Sequence, residues 1–87
     1  MDRDKTLQTA KNCLDDNVFS TSIDMGGEYT ALFQALDHET STGDKQAKVT
    51  IMLMGNIPVG YHIYKEVDTA WEFLDSFSGG EFNPENN

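Results

Sequence analysis

Hydrophobic positions recur at helical spacing near both ends of this chain and alternate with polar ones in between. Near the N-terminus Leu7, Ala10, Leu14 and Val18 fall on one face of a helix predicted over residues 4–16. Asp2 and Asp4 stand where the N-terminal dipole favours carboxylates, and Asp15 and Asp16 disfavour a last turn, so the helix ends there. Phe19, Thr21, Ile23 and Met25 then alternate with polar neighbours, the pattern of a strand. The pair Gly26-Gly27 is a hairpin signal, since glycine reaches positive φ without strain. Residues 28–38 fit two periods. Tyr29, Leu32, Phe33 and Leu36 would share a helix face, and Tyr29, Ala31, Phe33 and Ala35 a strand face. Helix propensity favours the first and the flanking turn signals the second; we take the strand.

After the polar loop "TSTGDK", the run "QAKVTIMLM" reads as a strand, with Val49, Ile51 and Leu53 on one face and Thr50, Met52 and Met54 on the other. "GNIPVG" reads as a turn and "YHIYKE" as the next strand. In that strand Val59, Tyr61 and Ile63 share a face, with His62 and Tyr64 opposite. Pro58 has no N–H to donate, which places it at a strand start or on an edge. The expected sheet core is Val49, Ile51, Leu53, Tyr61 and Ile63. A final helix over 68–77, capped by Asp68, buries Ala70, Phe73, Leu74 and Phe77. The elements add up to an α+β fold: a small two-layer domain with an antiparallel sheet flanked by an N-terminal and a C-terminal helix. Residues 1–78 form this single domain and 79–87 a flexible C-terminal tail. The second sheet face carries Met52, Met54 and Tyr64, which suggests cover from a helix or a partner.

Composition narrows the setting. Eighty-seven residues suffice for one domain with a thin core. The one cysteine, Cys13, excludes an internal disulfide framework and fits a reducing compartment. "MDRDKTLQTA" lacks the apolar core of a signal peptide, and "VTIMLMG" is too short to span a bilayer. The expectation is a soluble, cytoplasmic protein. Fifteen acidic residues against six basic ones give a formal net charge of −9. Such a surface repels nucleic acid and anionic membranes and attracts basic proteins.

Motifs for chemistry are missing or weak. "GNIPVG" has Tyr61 and His62 where a phosphate-binding loop needs Lys and Ser or Thr. Asp37, His38 and Glu39 are metal-ligand types, with His62 as a potential fourth, but neighbours on a strand point to opposite faces and do not converge. Cys13 has no activating basic group beside it in sequence and reads as a small buried or half-buried thiol. No nucleophile elbow accompanies the serines and histidines. We therefore expect no catalysis, no cofactor and no bound metal.

The stretch "DTAWEFLDSF" carries the one pronounced surface feature. Asp68, Glu72 and Asp75 lie at i, i+4 and i+7 opposite the apolar stripe, Trp71 lies on the flank, and Glu66 stands just upstream. Like charges so placed repel by a few tenths of a kcal/mol each, and no lysine relieves them. Neighbours on a helix face are about 5–6 Å apart, near the path between phosphates on one nucleic-acid strand. These residues can thus engage Lys and Arg that otherwise hold phosphates, with Trp71 as an apolar anchor. In size, charge and "DTAWEFLD"-type acidic and aromatic surface, the chain resembles the small anti-defence proteins of phages and mobile elements, anti-CRISPR proteins and DNA mimics among them. No specific motif carries the resemblance. It implies a non-enzymatic inhibitor that docks on a basic, nucleic-acid-binding protein surface, such as that of a CRISPR–Cas or other defence complex, with no direct contact to nucleic acid or membrane. The alternative is a small intracellular adaptor or accessory domain, homodimeric through a sheet edge or the methionine-lined face.

Overall fold

A computed structural model of the chain describes residues 2–16, 18–39 and 41–78. The order is α1 (Arg3–Asp15), β1 (Ser20–Gly26), β2 (Tyr29–Glu39), β3 (Lys45–Leu53), β4 (Ile57–Tyr64) and α2 (Val67–Ser78). The strands form one antiparallel meander in the order β1-β2-β3-β4. Both helices lie on the same face of it: α1 packs on β2 and β3, α2 on β4, and the two helices on each other. The α+β class and the helix–sheet–helix order expected from the sequence are what the chain adopts. The expected tail at 79–87 lies outside the described residues. No helix among the described residues is long and apolar enough to cross a membrane.

Local chemistry accounts for the element ends. Asp2 caps α1, its Oδ1 accepting from the backbone N–H groups of Asp4 and Lys5 at 3.0 and 3.2 Å. Gly26 and Gly27 take φ of 93° and 61° in the β1–β2 hairpin, a region open to glycine and strained for other residues. Residues 28–38, which fitted either period, lie in a strand. A helix there would leave β1 and β3 without the partner that each pairs with through β2.

The register defines the core. Thr21, Phe33, Val49 and His62 align across the sheet, as do Ile23, Ala31, Ile51 and Gly60, all on the helix-bearing face. Phe33, Val49, Ile51, Ala31 and Ala47 are fully buried there, with Ala10 and Cys13 of α1 and Ala70 and Leu74 of α2 above them. The buried side chains of α1 are small: Thr6, Ala10 and Cys13. They face a sheet surface whose own small residues, Ala31 and Ala47, let the backbone approach. The expected stripe is thereby turned. Leu7 and Leu14 are half-buried on the flank, and Val18, expected on the buried face, lies beyond the helix at 83% exposure.

The other correction concerns β4. It begins at Ile57, so Ile57–Gly60 are strand rather than turn. The register slips by one residue between Ile51 and Met52, whose partners are Gly60 and Pro58. Val59 is the extra residue of this β-bulge. Past it, Gly60, His62 and Tyr64 face the helices, while Tyr61 and Ile63 face out, 64% and 44% exposed. The expectation that Tyr61 and Ile63 belong to the core, and that Tyr64 lies on the second face, is overturned: Tyr64 is 2% exposed. Pro58 does stand at the start of an edge strand.

Candidate functional site

The helix α2 begins at Val67 because Thr69 closes the turn behind it. Its N–H and its hydroxyl both donate to the Glu66 carbonyl, at 3.1 and 2.8 Å. Asp68 therefore sits inside the first turn and does not cap the helix, contrary to the sequence reading; its charge still faces the positive end of the dipole. One side of α2 is fixed to the sheet. Ala70 and Leu74 are fully buried, Phe73 stacks on His62 with ring centroids 5.6 Å apart, and Phe77 meets Tyr29 edge-on at 4.8 Å. Nε2 of His62 lies 3.1 Å from the Thr69 hydroxyl, tying β4 to the first turn of the helix.

That attachment sets the orientation of the opposite side. Glu66, Asp68, Glu72 and Asp75 are all exposed. Among the described residues none of them forms an ion pair. The recorded lysine bridges are Lys11 to Asp15 at 3.0 Å and Lys65 to Asp44 at 3.5 Å, both elsewhere. Asp68, Glu72 and Asp75 thus share the outward side of α2, and Glu66 is exposed just ahead of the helix. Trp71 is half-buried, and its ring has a neighbour that the sequence reading missed: the Arg3 guanidinium of α1, 6.0 Å from the ring centroid. Arg3 and Trp71 are 68 positions apart, so no periodicity within one helix could join them.

The other candidate groups do different work. Cys13 is buried beneath α1, and burial, moderated by its hydrogen bond with the Tyr64 side chain, pushes its thiol up to about 11. Such a thiol is protonated at neutral pH and a poor nucleophile. Burial also raises the Tyr64 phenol far above its ordinary range, while its hydroxyl donates to the Ala10 carbonyl at 2.9 Å. His62 is engaged with Phe73 and Thr69, and the side chains of Asp37, His38 and Glu39 lie outside what the structure describes. Among the described residues no three His, Cys, Asp or Glu groups converge in a way that could hold a metal ion.

Comparison with protein-family models, with curated proteins and with solved structures returned no match.

Proposed function

We propose that this protein acts by binding, and that the outer face of α2 docks on a basic protein surface. The observation that carries the reading is the exposure of Asp68, Glu72 and Asp75 on one side of α2, with Glu66 exposed just ahead of it and no cation paired to any of them among the described residues. Their mutual repulsion is relieved when lysines and arginines of a partner come between them, and it steers such a partner from a distance. Trp71, held on the flank beneath Arg3, supplies apolar area at the rim of the acidic row. The resemblance to anti-defence proteins makes the basic partner a nucleic-acid-binding surface, such as that of a bacterial defence complex, whose phosphate-binding residues the row would occupy. In this reading the protein inhibits without catalysis.

The test is affinity capture from bacterial lysate with the parent and with a folded Glu72→Lys, Asp75→Lys variant. The parent should recover a nucleic-acid-binding complex, less of it as salt rises, and the variant should not. Equal recovery by both, at low and high salt alike, removes the reading.

A further inference from the structure

Among the described residues no helix covers the second face of the sheet, and that face is left without a role. The register places three rows on it: Ser22, Leu32, Thr50 and Tyr61; Ser20, Gln34, Lys48 and Ile63; Asp24, Thr30, Met52 and Pro58. The β1 residues of these rows are polar, β3 contributes Thr50, Lys48 and Met52, and β4 contributes Tyr61, Ile63 and Pro58. Pro58, Tyr61 and Ile63 follow one another down the edge strand, exposed, with Met52 and Leu32 half-buried beside them. Scattered exposed apolar residues are ordinary, but a contiguous patch of them on one face marks an interaction surface.

Charge selects the occupant. Asp24 and Lys48 are the charged residues that the register places on this face, and they cancel. The helical layer opposite is acidic, and the chain as a whole carries −9. A basic partner gains little from the neutral face and much from the helices. Two copies of the chain repel each other through their helical layers, yet can meet through this face with no like charges set opposite. We infer that the open face is a homodimer interface, with a second copy stacked sheet on sheet. The patch is then self-complementary across a two-fold axis, as an isologous contact requires, and sheets so packed lie about 10 Å apart. The Lys48 ammonium, 5.3 Å from the centroid of the Tyr61 ring, keeps a favourable contact as it loses water.

Size sets the strength. Four strands about 4.8 Å apart and some seven residues long outline roughly 400 Å² per copy. A pair so formed falls in the class of weak, exchanging interfaces. Association at tens to hundreds of micromolar is expected on that basis, roughly the range between the micromolar and millimolar marks of binding free energy. The dimer would carry its two acidic helices outward on opposite sides, ready to engage two basic surfaces or a repeated one. The interface itself does not depend on what those helices bind.

Two measurements on the intact chain decide it. Sedimentation velocity of the parent from about 10 µM to about 1 mM, bracketing the expected range, should show a monomer–dimer equilibrium. Amide and methyl shifts that change on dilution should fall on Leu32, Thr50, Met52, Tyr61 and Ile63. A Tyr61→Glu, Ile63→Glu variant should dimerise at least about tenfold more weakly, whereas the Glu72→Lys, Asp75→Lys variant should dimerise as the parent does. A parent that remains monomeric at about 1 mM, or a dimer whose dilution shifts map to the helices, overturns the inference; the dilution experiment decides even if the double-glutamate variant does not fold.

Discussion

The two faces of the sheet are made by the same four strands and present opposite chemistry. The inner face holds Phe33, Val49 and Ile51 with no exposed surface, under two helices. The outer face leaves Tyr61 and Ile63 in solvent, although a tyrosine, Tyr64, and an isoleucine, Ile51, are buried beneath the helices. The difference teaches that hydrophobicity alone did not choose the core. The inner face is the one on which the helices can sit closely, over Ala31 and Ala47 and against Ala10 and Ala70, all fully buried. Close packing of small residues there and large residues between them fills space that a layer of large side chains would hold apart. The polar groups brought inside are all satisfied: among the described residues no buried side-chain nitrogen or oxygen lacks a hydrogen-bond partner.

Truncation on the two faces should break the symmetry most sharply. Ile51→Ala removes a fully buried side chain and should destabilise by about 2–5 kcal/mol. Ile63→Ala, on the outer face of the neighbouring strand, should change stability by less than about 1 kcal/mol in dilute solution. Urea unfolding of both at low concentration is the measurement, and equal losses would mean that the outer face is already covered within one chain.

The same comparison shows how far the sequence could be read. Helix, meander and helix were legible because each rests on local periodicity, and the inner faces of β2 and β3 followed directly: Ala31 and Phe33, Val49 and Ile51 are where alternation puts them. In β4 the same rule failed. Alternation carried forward from Val59 selects Tyr61 and Ile63, but the bulge resets the parity, so that His62 and Tyr64 point inward. The local signal was Pro58-Val59-Gly60, which marks an irregular strand start without saying which parity follows. His62 and Tyr64 also look too polar for a core until their partners are known. Those partners, Thr69 and the carbonyl of Ala10, belong to other elements, Ala10 being 54 residues away. On α1 the rule failed for a related reason: the stripe with the largest side chains lost to a stripe of small ones because the sheet requires close approach. The acidic row of α2 was legible as a helix face. Its neighbour Arg3 was not, since that contact depends on how two helices cross.

Alkaline pH should sharpen the contrast, because Cys13 and Tyr64, whose titration burial shifts, both lie on the inner side. The Cys13 thiol is held near 11 against an ordinary 9, and Tyr64 is raised as well. A folded state that holds these protons more tightly than the unfolded chain loses stability as pH rises, since the unfolded chain releases them first. The Cys13 contribution is fully present below pH 9 and the Tyr64 contribution below pH 10; above those values stability should fall by up to about 1.4 kcal/mol per pH unit for each group. Thermal melting from pH 8 to 11 is the check, with Cys13→Ala losing part of the slope. A flat profile would place both groups in contact with solvent. Native Cys13 should also resist thiol reagents at neutral pH and react once the chain is unfolded.

At the rim between the faces, Met54 adopts a φ of 54° in the β3–β4 turn and is 65% exposed. A residue with a Cβ in this region is strained by about 1–2 kcal/mol relative to glycine, and glycine returns roughly half of that through its freer unfolded chain. Met54→Gly should therefore raise stability by about 0.5–1 kcal/mol. A loss instead would show that the methionine side chain makes a contact worth more than the strain.

The smallest effect belongs to the acidic helix and decides whether its charges are a feature of the fold or only of the surface. Asp68 and Glu72 are four residues apart and Glu72 and Asp75 three, so each pair sets like charges side by side on an exposed face. Nothing among the described residues neutralises them. Replacing Glu72 and Asp75 by lysine turns the repulsion of Asp68 with position 72 into an attraction of the favoured orientation, acid before base. It also moves positive charge toward the C-terminal half of the helix dipole. The fold should then become more stable by a few tenths of a kcal/mol at low salt, and the gain should vanish as salt rises. A drop of more than about 1 kcal/mol, beyond what surface substitutions cause, would show the carboxylates already engaged within the chain. If stability rises while binding to a basic partner disappears, the acidic row is kept against the interest of the fold, which is the pattern expected of a contact surface and not of a merely solvated one.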